Sequence, residues 1–280
     1  MVAFVPNATE LHFEGESVTF YESLWRWGIV KCKVHLCVIV TMVLVAIFLP
    51  KISAFAASED VVAVAASMHE CALELAAAFE EADFGEAPQL VSGASGKLAA
   101  QIISGAPFCL FLSASPEWTE KLKKDGLLYD IAPMAKAPAV AWWPKDEAIS
   151  LGALRGEKVR IAIADPAAAP FGKAAGEYLV SIGLYDTLMK EGRLIVMGSV
   201  EQAILAATSG GADVAIVSLS LAIKASKGSH VKLPIAPLEN SGGLIKSRAT
   251  ENITEFWRYI RSDAAASIWE KWGFEPVRSN

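Results

Sequence analysis

Cysteine and histidine are scarce in this chain, with four of each among 280 residues. No group of them has the spacing of a metal site, and the two histidines beyond the leader, His69 and His230, belong to no catalytic motif. The 25 lysines and arginines are scattered among 31 acidic residues, and no basic stripe suggests a nucleic-acid partner. The sequence therefore predicts neither an enzyme nor a cofactor, and it predicts no direct metal ligands.

Disulfide bonds are not expected to hold this fold together. Cys32 and Cys37 fall in the N-terminal leader, and only Cys71 and Cys109 follow it. Both have apolar neighbours typical of core positions, so we expect buried thiols. A bond between these two remains open, because the leader directs the chain to an oxidising compartment.

The N-terminal 1–56 segment is predicted to be a leader. A short apolar run, His35–Pro50, follows basic residues and precedes small residues that end at Ala56, which is the pattern of a secretory signal peptide. We expect cleavage near Ala56 and a periplasmic protein. A membrane tether is the alternative, but a spanning helix needs about twenty apolar residues. The acidic, aromatic first 30 residues leave a later start, such as Met42, open.

Beyond the leader, apolar runs alternate with amphipathic segments. Val61–Ala66, Cys109–Ala114 and Val159–Ala164 are typical of buried parallel strands, and each is followed by a helical pattern. This alternation predicts the α/β class, with mostly parallel sheets flanked by helices.

Four strand-to-helix junctions share one construction, at Ser67, Ser95, Phe171 and Val200. Ser95 is predicted to occupy the N-cap position of its helix, and Pro170 leaves the next backbone N–H groups free. The first turn of a helix carries partial positive charge and unpaired donors, which suit an anion. A serine that only caps its own helix is the alternative, but the recurrence of the junction favours an anion site.

The motifs at these junctions resemble those of the periplasmic molybdate-binding proteins of ABC importers, the ModA family. The matching segments are Val64–Ser67, Ser92–Ala99, Gly105–Pro107, Leu110–Ala114, Ala164–Pro166 and Pro170–Gly172. The resemblance implies a two-lobed type II periplasmic binding protein with its ligand in the cleft. One lobe would comprise residues 57–136 and 232–280, and the other residues 137–231.

The resemblance also implies a ligand set. Ser67 and Ser95 would donate from one lobe, and the backbone N–H groups of Phe171 and Val200 from the other. Ser218 stands where the family usually has a tyrosine, and its shorter reach suggests a bridging water, another anion or weaker binding. Lys97 and Lys173 are expected to be solvated helix residues.

A monomeric binding protein that carries molybdate or tungstate to permease subunits is the function that the resemblance implies. Sites built of neutral donors select fully deprotonated oxyanions, because a protonated anion offers an O–H that finds no acceptor. Two alternatives stay open: a protein of the same fold for sulfate, chromate, phosphate or a small organic acid, and a membrane-tethered sensor.

Overall fold

The computed structural model describes residues 60–145 and 149–277. All of them belong to one compact unit. The predicted leader and its cleavage site lie outside the described residues. No helix in the described ranges is long and apolar enough to cross a membrane.

The described residues form strands and helices that alternate along most of the chain. The strands are β1 Val61–Ala65, β2 Gln89–Gly93, β3 Leu110–Ser113, β4 Leu128–Ala137, β5 Ala139–Trp143, β6 Ile161–Ala164, β7 Leu194–Met197, β8 Val214–Ser218, β9 Ser229–Lys232, β10 Leu238–Ile245 and β11 Glu275–Pro276. The α-helices are α1 His69–Glu81, α2 Ser95–Ile103, α3 Pro116–Lys124, α4 Pro170–Ser181, α5 Tyr185–Lys190, α6 Val200–Thr208, α7 Leu219–Ala225, α8 Glu251–Tyr259 and α9 Asp263–Lys271. Short 3-10 turns cover Ala66–Met68 and Leu151–Arg155.

These strands build two mixed sheets, which confirms the predicted α/β class. The prediction that the sheets are mostly parallel is wrong, because five of the nine strand pairings among the described residues are antiparallel. The first has the order β11-β4-β10-β3-β1-β2, and the second the order β7-β6-β8-β5-β9. β1 runs parallel to β2 and β3, and β6 runs parallel to β7 and β8. The chain passes between the sheets at Pro138, directly between β4 and β5, and returns through residues 233–237.

The parallel strands explain where a site can form. The carboxyl ends of β1, β2 and β3 meet at one edge of the first sheet, and those of β6 and β7 meet at one edge of the second. In open α/β sheets ligands bind beyond these ends, where the following helices begin. The four junctions predicted from the sequence lie at these two edges.

Large aromatic side chains anchor both sheets. Trp257 and Phe256 are fully buried beneath the first sheet, and Phe79 packs edge-on against Phe256 with ring centroids 5.4 Å apart. Trp142 of β5 is buried in the second sheet and donates from its indole nitrogen to the Lys227 carbonyl at 3.1 Å. The helices above each edge therefore sit on a rigid apolar base.

Both cysteines that follow the leader are buried. Cys71 keeps a free thiol, which donates to the Ile268 carbonyl at 3.9 Å. Burial raises the pKa of Cys71 well above its usual range. This confirms the expected buried thiol at Cys71 rather than a disulfide.

Gly172 of α4 allows the helix to approach β6 closely. A methyl group added there would lie 2.3 Å from the Ala164 carbonyl oxygen, and a backbone atom cannot yield as a side chain can. We expect Gly172→Ala to lower the free energy of unfolding by about 1–3 kcal/mol, as measured by urea denaturation. Gly176→Ala in the same helix is the control, because its methyl would meet nothing nearer than the Tyr185 ring at 3.5 Å. Equal stability of the Gly172 variant and wild type would contradict this packing.

Candidate anion-binding site

A narrow pocket lies where loops from the two sheets meet. It is lined by Ala65, Ala66, Ser67, Gly93, Ala94, Ser95, Ala114, Ala169, Pro170, Phe171 and Val200. The structure thus brings together four of the five predicted site residues, two from each sheet. Among the described residues, none that lines this pocket carries a charge.

Ser67 presents an unpaired hydroxyl to the pocket. It lies in the 3-10 turn between β1 and α1 and is 3 % exposed. Its Oγ has no hydrogen-bond partner among the described residues. A buried polar group left without a partner costs about 1–3 kcal/mol, which an acceptor in the pocket would relieve.

Ser95 is held differently from the prediction. Ala94 occupies the N-cap position with extended backbone angles (φ −65°, ψ 136°), and Ser95 is the first residue of α2. The prediction that Ser95 caps its own helix is wrong, because the helical geometry already begins at this residue. Its Oγ instead accepts from the Ala114 backbone N–H at 3.2 Å. The hydroxyl is therefore fixed in place with its hydrogen available to an acceptor.

Three helices begin at the pocket. No side chain caps the first turn of α2 or α4, while Ser199 caps α6 by accepting from the Gln202 N–H at 3.3 Å. The first-turn amides of α2 and α4 are thus not taken by capping side chains. Each helix start also contributes partial positive charge from its backbone, and in α6 the first turn also carries the acidic side chain of Glu201. Phe171 itself is 2 % exposed, so its bulk lies in the core and only its backbone is relevant to a ligand.

The loops of the two sheets touch directly around the pocket. Gly96 donates its backbone N–H to the Ala168 carbonyl at 2.8 Å. On an outer rim, Lys173 Nζ lies 3.2 Å from Glu117 Oε2. The enclosed volume is about 10 Å³, close to the minimum for one water molecule. A larger oxyanion therefore requires the walls to move apart slightly.

Ser218 does not line this pocket. It ends β8 opposite Ala139 and is fully buried. Its hydroxyl lies 2.8 Å from Ser220 Oγ, and Ser220 in turn donates to the Ser67 carbonyl. Sequence reasoning missed both Ser220 and the Ala114 amide, since each bonds a residue of another segment that local patterns do not place beside it.

The two lysines near the junctions stand outside the pocket wall. Lys173 pairs with Glu117 at the rim. Lys97 extends toward the β7–α6 turn, with its Nζ 3.0 Å from where a methyl group on Gly198 would lie. Neither lysine is among the lining residues.

The fold and this pocket are those of a solute-binding protein. Residues 61–275 match the family model of bacterial extracellular solute-binding proteins, and the chain belongs to that family.

Individual relatives show which members of this family the chain is similar to, and they confirm the resemblance predicted from the motifs. The molybdate-binding protein ModA of Rhodobacter capsulatus is 33 % identical over 227 residues, which cover 78 % of this chain and 89 % of that protein. The periplasmic molybdate-binding protein of Azotobacter vinelandii superimposes with a TM-score of 0.73 at 30 % identity, covering 79 % of this chain and all of that one. A substrate-binding domain of a putative molybdenum ABC transporter from Clostridium difficile gives 0.60 at 26 % identity, with 78 % and 99 % coverage.

The Ser95–Ala114 bond makes a prediction that needs no ligand. Ser95→Ala leaves the buried Ala114 N–H without its acceptor, so the free energy of unfolding should fall by about 1–2 kcal/mol. Amide exchange at Ala114 should become faster, as measured by hydrogen–deuterium exchange. Ser104→Ala, which removes an exposed hydroxyl bonded to the Ala100 carbonyl, is the control. Unchanged exchange at Ala114 would show that Ser95 is not held there.

Proposed function

We propose that this protein binds molybdate or tungstate in the pocket between its two sheets and delivers the anion to the permease of an ABC importer. In this proposal the two sheets are the centres of two lobes, residues 57–137 with 233–280 and residues 138–232, since Ala137 ends β4 of the first sheet and Lys232 ends β9 of the second. Relatives that bear the name of molybdate-binding proteins support this assignment. The observation that carries it is the unpaired, buried Ser67 hydroxyl in a pocket with no charged lining residue.

The chemistry of the lining suits a tetrahedral dianion. Two hydroxyls and the starts of three helices supply hydrogen-bond donors from opposite sides. Helix termini stabilise an anion without a buried countercharge, whose desolvation would oppose closure. Ser67, Ser95, Phe171 and Val200 are the residues that we assign to the anion, the last two through their backbone.

A donor-only site also selects by protonation state. Molybdate, tungstate and sulfate have no proton at neutral pH, whereas phosphate keeps at least one. The phosphate O–H would have to bond a serine hydroxyl that then no longer donates to the anion, or stay without an acceptor, at a cost of about 1–3 kcal/mol. The protein should therefore reject phosphate by about tenfold or more.

The alternative is that the protein binds another oxyanion. The position of Ser218 supports this alternative, because Ser218 does not line the pocket. With Ser218 behind the wall, the site lacks the fifth donor that the family usually supplies by a tyrosine. A pocket with fewer donors holds a large anion less firmly, so sulfate or chromate belongs in every binding experiment.

Location and partners follow from the same proposal. The family's description as extracellular supports a secreted protein, and we propose that it acts in the periplasm as a monomer. N-terminal sequencing of the secreted protein should give Ala57 as the first residue. Retention of the leader on a membrane-bound product would instead favour a tethered sensor.

Calorimetric titration tests the anion. Molybdate and tungstate should release heat and raise the thermal midpoint, with phosphate at least tenfold weaker. Ser67→Ala should weaken molybdate binding by about 1–3 kcal/mol, since one donor is lost. The anion-free variant should be no less stable than wild type, because the deleted hydroxyl has no partner to lose.

Ser104→Ala is again the matched control and should bind as wild type does. Heat with sulfate but not with molybdate would support the alternative oxyanion. The absence of heat and of any thermal shift with both molybdate and tungstate would contradict the proposal.

A further inference from the structure

Two buried hydroxyls stand directly behind the pocket. Ser218 is fully buried and Ser220 is 5 % exposed, and neither lines the cavity. Their oxygens lie 2.8 Å apart. Ser220 also bonds the backbone carbonyl of Ser67, a residue 153 positions away in the sequence. The pair is therefore joined to the site by the hydrogen bond to Ser67.

The direction of these bonds follows from the chemistry of the groups. A carbonyl oxygen only accepts, so Ser220 donates its single hydroxyl hydrogen to Ser67. The bond between the two serines must then be donated by Ser218. Both hydrogens are thus committed, and neither hydroxyl keeps one for an anion.

This chain of bonds joins the two sheets. Ser218 ends β8 of the second sheet, and Ser220 lies in the first turn of α7 that follows. Ser67 lies in the turn after β1 of the first sheet. Its carbonyl is held by Ser220, while its own hydroxyl is the unpaired donor in the pocket. Fixing the carbonyl fixes the turn, and the turn sets where that hydroxyl points.

We propose that Ser220 is a positioning residue for the oxyanion site and that Ser218 supports Ser220 instead of binding the anion. The inference rests on the proposed oxyanion function. Ser218 stands where the family usually has a tyrosine, but here it has a different role. It donates to Ser220, which donates to the Ser67 carbonyl, and we call these two hydrogen bonds the serine relay. The pocket thus has no fifth donor, but the turn that carries the Ser67 hydroxyl is held in place by Ser220.

The role of Ser220 and Ser218 can be tested by measuring the association and dissociation rates of molybdate with the full secreted chain. Ser220→Ala should raise the dissociation constant about fivefold, the equivalent of one net hydrogen bond. Most of this change should lie in the dissociation rate, because the groups that meet the incoming anion are intact. Ser218→Ala should cost less than Ser220→Ala, since the bond to Ser67 remains. Ser209→Ala, which removes an exposed hydroxyl on the Ala206 carbonyl, is the control.

The opposite ranking would overturn the inference. If Ser218→Ala weakens binding as much as Ser67→Ala while Ser220→Ala is neutral, Ser218 binds the anion itself. A purely structural role for Ser220 would lower the thermal midpoint of the anion-free protein and leave the dissociation rate unchanged, which also contradicts positioning.

A second measurement needs no ligand. Hydrogen–deuterium exchange in the peptide that spans the Ala66–Met68 turn should be faster in anion-free Ser220→Ala than in wild type. Unchanged exchange there would overturn the positioning role. If wild type binds neither molybdate nor tungstate, the proposed function fails, while this exchange experiment still decides whether Ser220 holds the Ser67 turn.

Discussion

The hydrogen bond from the Gly96 N–H to the Ala168 carbonyl is the contact on which the site depends. It joins the start of α2, above the first sheet, to the loop that leads into α4, above the second. Only glycine permits this approach, since a methyl group at residue 96 would lie 2.7 Å from the Trp118 ring and 2.9 Å from the Ala168 oxygen. The pocket exists because these two loops meet.

Around that contact, hydroxyls and helix starts line the pocket, and none of the described lining residues is charged. The hydroxyl of Ser95 is fixed by an amide of the neighbouring loop, and that of Ser67 is left unpaired. Preset dipoles can favour an anion while avoiding the desolvation of a buried lysine or arginine. One charged pair that crosses between the sheets, Lys173 with Glu117, lies at the rim, where solvent screens it.

Much of this arrangement could be predicted from the sequence. Apolar runs such as Val61–Ala66 specify strands, and the small residues after them mark helix starts, so the α/β class and four site residues follow from local pattern and resemblance. The hydrogen bond of Ser95 could not be predicted, because its partner Ala114 belongs to another strand-to-helix loop. Nor could the Ser218–Ser220 relay, which depends on how two distant segments are placed. Local patterns specify where backbone donors lie, whereas contacts between sheets decide which donors remain unpaired.

The most direct test of the account is a crystal structure with molybdate, in which anomalous scattering at the molybdenum edge locates the metal. The account predicts one strong peak within hydrogen-bonding distance, through its oxygens, of the Ser67 and Ser95 hydroxyls and the amides of Phe171 and Val200. A peak elsewhere, such as the rim cavity beside Trp118 and Lys173, or no peak at saturating molybdate, would contradict it.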